Sequence, residues 1–183
     1  MKIEDGTGSG KSAGVDSENR LLSDSVSRSL ESHTNLDHGD AYSLLFSATP
    51  AAPADCFLYL KNEDEKDLII EGFGLYLLAD EYVDVVITDA GTPLGGTDIV
   101  PGNLNAGSGK TASGTFQHGN DITGLDGGRT IYRIYHTSST GTDYTNFEMD
   151  VVLSKNTTLT MYVQTGTAAL AGFLDMYYHT HDE

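Results

Sequence analysis

From residue 42 onward the chain is written in short runs of Val, Ile, Leu, Tyr and Phe, broken by Gly, Asn, Asp and Pro, with no convincing helical period. Such runs read as strands, because β-branched and aromatic side chains suit a pleated, half-buried surface while the breakers supply turns. They predict about eight strands, placed at 42–47, 56–62, 67–71, 73–79, 83–88, 130–137, 146–153 and 158–165, with a closing strand within 169–179. Strands joined by turns rather than helices pair antiparallel, and each sheet must bury one face. The expected fold is therefore all-β, a β-sandwich of jelly-roll type. A length of 183 residues suits one such core.

The first forty residues have a different texture. They contain Gly6, Gly8, Gly10 and Gly14 among many Ser, Asp, Asn and Glu. A segment so poor in large apolar groups cannot bury enough surface to offset its ordering entropy. The expected division is an extended N-terminal arm at 1–40 and a β-sandwich domain at 41–183. Ile3, Val15, Leu21, Leu22 and Val26, with Arg20 beside them, are spaced as anchors by which an arm docks onto another chain. A short helix over 23–32 sets Val26 and Leu30 four apart, but its serines make it weak.

A second glycine-rich stretch runs from Asp89 to Gly128 and includes Pro93 and Pro101. Loops of this length inside a domain are functional or ordered by a partner, so it is expected to be an interaction loop. In 146–153 alternation sets Phe147, Met149 and Val151 on one face, against Glu148, Asp150 and Val152. In 130–137 the alternation is weak, as in a strand covered on both faces or lying at an interface. Tyr132, Ile134, Phe147 and Met149 are the expected subunit contacts of a homo-oligomer.

Charge excludes several functions. With 27 acidic against 10 basic residues and a net charge of −17, the chain repels a phosphate backbone and an anionic membrane surface alike. Neither a nucleic-acid nor a membrane partner is expected. No stretch is long and apolar enough to span a bilayer, and the opening Met-Lys-Ile-Glu-Asp-Gly lacks an apolar signal core. The single cysteine, Cys56, lies in an apolar run and reads as a small buried hydrophobe.

Motifs for chemistry fail on spacing. Gly8-Ser9-Gly10-Lys11-Ser12 and Gly107-Ser108-Gly109-Lys110-Thr111 resemble a phosphate loop, but Asp5 and Leu104 stand where its first glycine belongs. The histidines, at 33, 38, 118, 136, 179 and 181, have no zinc spacing, and His179 with His181 reads as part of a solvated terminus. Asn62-Glu63-Asp64-Glu65-Lys66-Asp67 lacks the alternation of a calcium loop and reads as a charged hairpin tip. No nucleophile elbow is present, and carboxylate pairs among so many acids carry no signal. No catalytic residue, metal ligand or cofactor is expected.

The run from Ile3 to Leu21, Ile-Glu-Asp-Gly-Thr-Gly-Ser-Gly-Lys-Ser-Ala-Gly-Val-Asp-Ser-Glu-Asn-Arg-Leu, resembles an N-terminal segment of virion structural proteins of tailed bacteriophages. Pro101-Gly102-Asn103-Leu104-Asn105-Ala106-Gly107-Ser108-Gly109 is similar to a loop of the same proteins. Together they cover under a sixth of the chain. The resemblance implies a jelly-roll protein on the outer capsid surface, its arm tethered to the major capsid protein or to neighbouring copies. The run Leu22-Ser23-Asp24-Ser25-Val26-Ser27 is more serine-rich than such arms. The expected role is a capsid decoration or cement protein, a homotrimer bound across capsomer joints. The alternative is a tail or head-fibre component that recognises a host receptor or glycan, with Tyr132, Tyr135 and Tyr144 stacking on sugars. An acidic β domain belongs outside the shell, away from packaged DNA.

Overall fold

The computed structural model describes residues 29–138, 144–166 and 169–179, and ahead of them the backbone of three short strands, β1 (Lys2–Glu4), β2 (Ser12–Val15) and β3 (Leu21–Leu22). These three pair antiparallel in chain order, so the segment expected as an extended arm includes a small sheet. The main body begins with one helical turn, α1 (Leu30–His33), continued by a wider π turn over Thr34–His38. Ser29 caps the turn by accepting the Ser32 N–H at 3.1 Å. Gly39, at φ +63°, ends it in the left-handed conformation that glycine adopts without strain. Of the helix expected over 23–32 the described part starts at Leu30. Thr34 and Asp40 are buried.

The strands that follow are β4 (Ala41–Ala48), β5 (Cys56–Asn62), β6 (Asp67–Leu77), β7 (Glu81–Ile87), β8 (Ala90–Leu94), β9 (Thr97–Asp98) and β10 (Gly102–Asn103). Then come β11 (Gly114–His118), β12 (Thr123–Asp126), β13 (Arg129–His136), β14 (Thr145–Leu153), β15 (Thr158–Val163) and β16 (Leu170–His179). One sheet has the order β10-β4-β16-β6-β14, the other β13-β7-β15-β5-β11-β9, and β12 pairs with β8 alone. The fold is all-β, with sheets packed as a sandwich. Its long strands pair in nested fashion: β4 with β16, β5 with β15, β6 with β14 and β7 with β13, all antiparallel.

Between the sheets lie Leu44, Phe57, Leu60, Ile70, Phe73, Val85, Leu159, Met161 and Leu174, all buried. Burial of each such side chain contributes about 1.5–3 kcal/mol relative to exposure. The pairing of β6 with β16 is regular until β6 bulges. Asp175 stands opposite Gly72, but the next residue, Met176, stands opposite Ile70, so Glu71 is the extra residue. The expected break between 67–71 and 73–79 is thus a bulge within one strand. A side chain at Gly72 would put its Cβ 2.6 Å from the Phe147 carbonyl oxygen, which explains the glycine that looked like a turn.

The long glycine-rich stretch is likewise not an open loop. It contains β8 to β12 and folds back on its own domain. Ile122 and Leu125 pack against Cys56, Tyr59 and Tyr162 on the outer face of the larger sheet, making a second small core. Cys56 is fully buried there, and burial pushes its thiol pKa up to about 12, so it stays protonated and unreactive.

Candidate interaction surfaces

The root of the arm is the most heavily bonded polar region of the described residues. Asp40 is buried, and its carboxylate accepts from Lys66 Nζ at 2.6 Å and from Lys110 Nζ at 3.0 Å. Burial opposes its ionisation, but the two ammonium groups outweigh that and hold its pKa below the ordinary carboxylate value. Asn103 Nδ2 donates to the Gly39 carbonyl at 2.8 Å, Ser108 Oγ donates to the same carbonyl at 3.2 Å, and Asn105 Nδ2 donates to the Asn35 carbonyl at 2.9 Å. A Cβ on Gly39 would collide with the Ser108 side chain. The segment from Asn103 to Lys110 therefore grips 35–40. This gives the run 101–109 and the failed phosphate-loop sequence around Lys110 a shared structural role. A cavity of about 210 Å³ opens beside the grip, lined by Leu30, His33, His38, Lys66 and Tyr178 among others.

The hairpin tip at 62–67 belongs to the same junction. Asn62 Nδ2 donates to the carbonyls of Lys66 and Leu153, both at 2.8 Å, and Lys66 reaches Asp40. This fits the charged-turn reading. Glu81 is likewise buried but has no cation among the described residues: it accepts from the Thr165 hydroxyl at 2.7 Å and from the N–H groups of Thr165, Gly166 and Tyr82. Those bonds outweigh burial and lower its pKa.

The outer face of the five-stranded sheet carries Glu71, Glu148 and Asp175 around a depression of about 360 Å³, with Glu31 reaching in from α1. Glu71 has its pKa pushed up to about 7, first by burial, then by a hydrogen bond to Glu31 and by the charges of Glu31, Asp175 and Asp150. Beyond the acids the face becomes apolar: Leu45 is 71% exposed, and Tyr144 contacts Phe173 and Tyr76 at ring separations of 5.7 and 6.1 Å.

Of the four expected subunit contacts, Met149 is 8% exposed and belongs to the core, Phe147 stacks on Phe73 at 5.0 Å, and Ile134 packs partly buried against the same core. Tyr132, 42% exposed, is the one with a free face. The sequence pattern located apolar strand faces but could not say that the opposing sheet would cover most of them. Of the arm residues, Ile3, Val15, Leu21 and Leu22 lie in β1, β2 and β3, whereas Arg20 and Val26 fall outside the described residues. His181 also falls outside them.

The three tyrosines considered for sugar stacking do not converge. Tyr135 packs with Tyr82 at 4.8 Å and donates to Asp80 at 3.2 Å, while Tyr144 joins the aromatic group on the other sheet. Tyr82 was missed, although its register opposite Tyr135 makes the pair. Next to it Arg133 donates bidentately to Asp84 at 2.6 and 2.7 Å. Among the described residues no helix is long and apolar enough to cross a membrane. No protein-family model, curated protein or solved structure matches the chain.

Proposed function

We propose that this chain is a structural protein of a tailed-bacteriophage virion, a capsid decoration (cement) protein that sits on the outer surface of the head and stabilises it. The reading rests on the anchored arm root: Lys66, Lys110, Asn103, Asn105 and Ser108 fasten 35–40 to the sandwich immediately after a glycine- and serine-rich arm. A tether transmits a hold only if its attachment to the domain is fixed. The nested strand pairing supports the jelly-roll form of the sandwich, since winding one long hairpin into two sheets produces that order. In this reading the arm engages the major capsid protein, the protein acts as a homotrimer, and it performs no catalysis and needs no cofactor.

The test is removal of residues 1–28, which leaves the gripped segment intact. The shortened chain is expected to keep its circular dichroism spectrum and thermal transition while losing its occupancy on particles. Normal occupancy would overturn the role of the arm.

A tail or head-fibre protein that recognises a host glycan is the second reading, favoured by the exposed Tyr82 and Tyr135 beside the Arg133–Asp84 pair. Copy number separates the two: hundreds per particle mean decoration, a handful mean fibre.

A further inference from the structure

The two lateral sides of the sandwich are finished differently. On one side the sheets end in β10 and β9, two residues each, both drawn from the glycine-rich stretch. β10 covers only Tyr42 and Ser43 of β4, and farther along that edge the His118 ring meets the Ser47 backbone and Asn120 accepts from the Thr49 N–H, so side chains as well as short strands occupy this side. On the other side the sheets end in β13 and β14, of eight and nine residues, with no further strand among the described residues. The two lie near each other, since the His136 ring on β13 is 6.3 Å from the Phe147 ring on β14. Each presents a row of N–H and C=O groups on its unpaired edge.

The side chains there mix exposed apolar groups with charges. Tyr132 and Tyr144 are exposed, Val152 is 53% exposed, and Ile131, Ile134 and Phe147 are half-buried. Neither strand carries lysine or proline, and each combines a bulge with two charged side chains, so a partner must answer those charges in order to pair. Their charges are opposite: β13 holds Arg129 and Arg133 and no acid, while β14 holds Glu148 and Asp150 and no base. Arg133 uses Nε and Nη2 on Asp84, which leaves Nη1 for a further acceptor.

We propose that a second copy of this chain adds at this side, with β13 of one copy lying along β14 of the other. Pairing β13 with another β13 sets arginine against arginine, and pairing β14 with another β14 sets acid against acid. The mixed pairing alone brings unlike charges together across the strands. It matters here because the net charge of −17 opposes any self-association that lacks local complementarity. Because β13 and β14 lie on the same side of the molecule, β13 of each copy meets β14 of the other, and the contact closes about a two-fold axis. The inference rests on the assembly reading above for its biological use.

The experiment is sedimentation equilibrium of the full chain at micromolar concentration. The wild type is expected to be oligomeric. Tyr132→Lys and Val152→Lys, both at exposed positions where folding tolerates change, are expected to weaken association by about tenfold or more. Glu148→Lys should also dissociate the oligomer, and Glu148→Lys combined with Arg133→Glu should restore it, which a merely damaged fold would not do. A monomeric wild type overturns the proposal, as does an oligomer indifferent to all of these changes. Particle occupancy of the wild type is measured in parallel. Its absence alongside an oligomer that responds as expected sinks the decoration reading and leaves this contact supported.

Discussion

The two outer faces of the sandwich received opposite treatment from the same chain. The face of the six-stranded sheet is partly roofed by the glycine-rich stretch, which buries Cys56 and Tyr59 under Ile122 and Leu125. Beneath it Asp89 accepts from Thr160 Oγ1 at 2.5 Å and from the Tyr162 hydroxyl at 2.6 Å. Burial and that bond raise the Tyr162 pKa. The face of the five-stranded sheet has no such cover among the described residues beyond α1, and it keeps carboxylates and exposed apolar groups side by side. A covered face stores stability; an uncovered one stores the capacity to meet something else.

The largest effect expected from breaking this contrast comes from Ile122→Ala. It removes the roof's main apolar contact and should cost about 2–4 kcal/mol, read as a lower denaturant midpoint. A loss below about 0.5 kcal/mol, the size of an ordinary surface change, would mean that the roof is ornamental to stability. Native Cys56 should also react far faster with a thiol reagent in that variant.

Next in size is Asp40→Ala. Its removal leaves Lys66 and Lys110 without their shared acceptor and should cost about 1–3 kcal/mol. Hydrogen exchange should show the loss of protection concentrated in 34–40 and 103–110. Uniform loss across the sandwich would refute a local grip.

Glu71→Gln tests the uncovered face. A carboxyl whose folded pKa is raised to about 7 binds more protons folded than unfolded, so stability falls as pH rises from its unfolded value through about 7. The glutamine cannot ionise. The variant should match wild type near pH 4, gain on it through pH 5–7 and hold a constant advantage above pH 8. An advantage independent of pH would show that Glu71 is not held proton-rich by Glu31, Asp150 and Asp175.

The smallest effect belongs to Leu45→Ser, at a 71% exposed position on the same face. Stability should change by less than about 0.5 kcal/mol, while occupancy on particles drops if that face meets the shell. A large stability loss would show that the face is already covered by residues outside the described set.

Strand positions were legible because period-two alternation and turn residues act locally. The expected 56–62 coincides with β5, and 146–153 differs from β14 by one residue. Gly72 misled because a glycine needed for close approach to the Phe147 carbonyl looks, in sequence, like one needed for a turn. The glycine-rich stretch misled for a related reason: β9 and β10 are two residues long, too short for a pattern, and β8, β11 and β12 each contain a glycine that reads as a breaker. Phe147 and Met149 were rightly placed on one face, yet burial against the opposite sheet is a property of two sheets together.

The amino-acid sequence by itself determined the β class, the acidity, the change of texture near residue 40 and the inert setting of Cys56, because each follows from composition or from spacing along a strand. Only the tertiary structure decided that Asn103, Ser108 and Lys110 grip Gly39 and Asp40, that Glu31 meets Glu71, and that one lateral side ends in two-residue strands while the other ends in β13 and β14. Those partners stand far apart in the chain, and nothing local encodes which strand will lie at an edge.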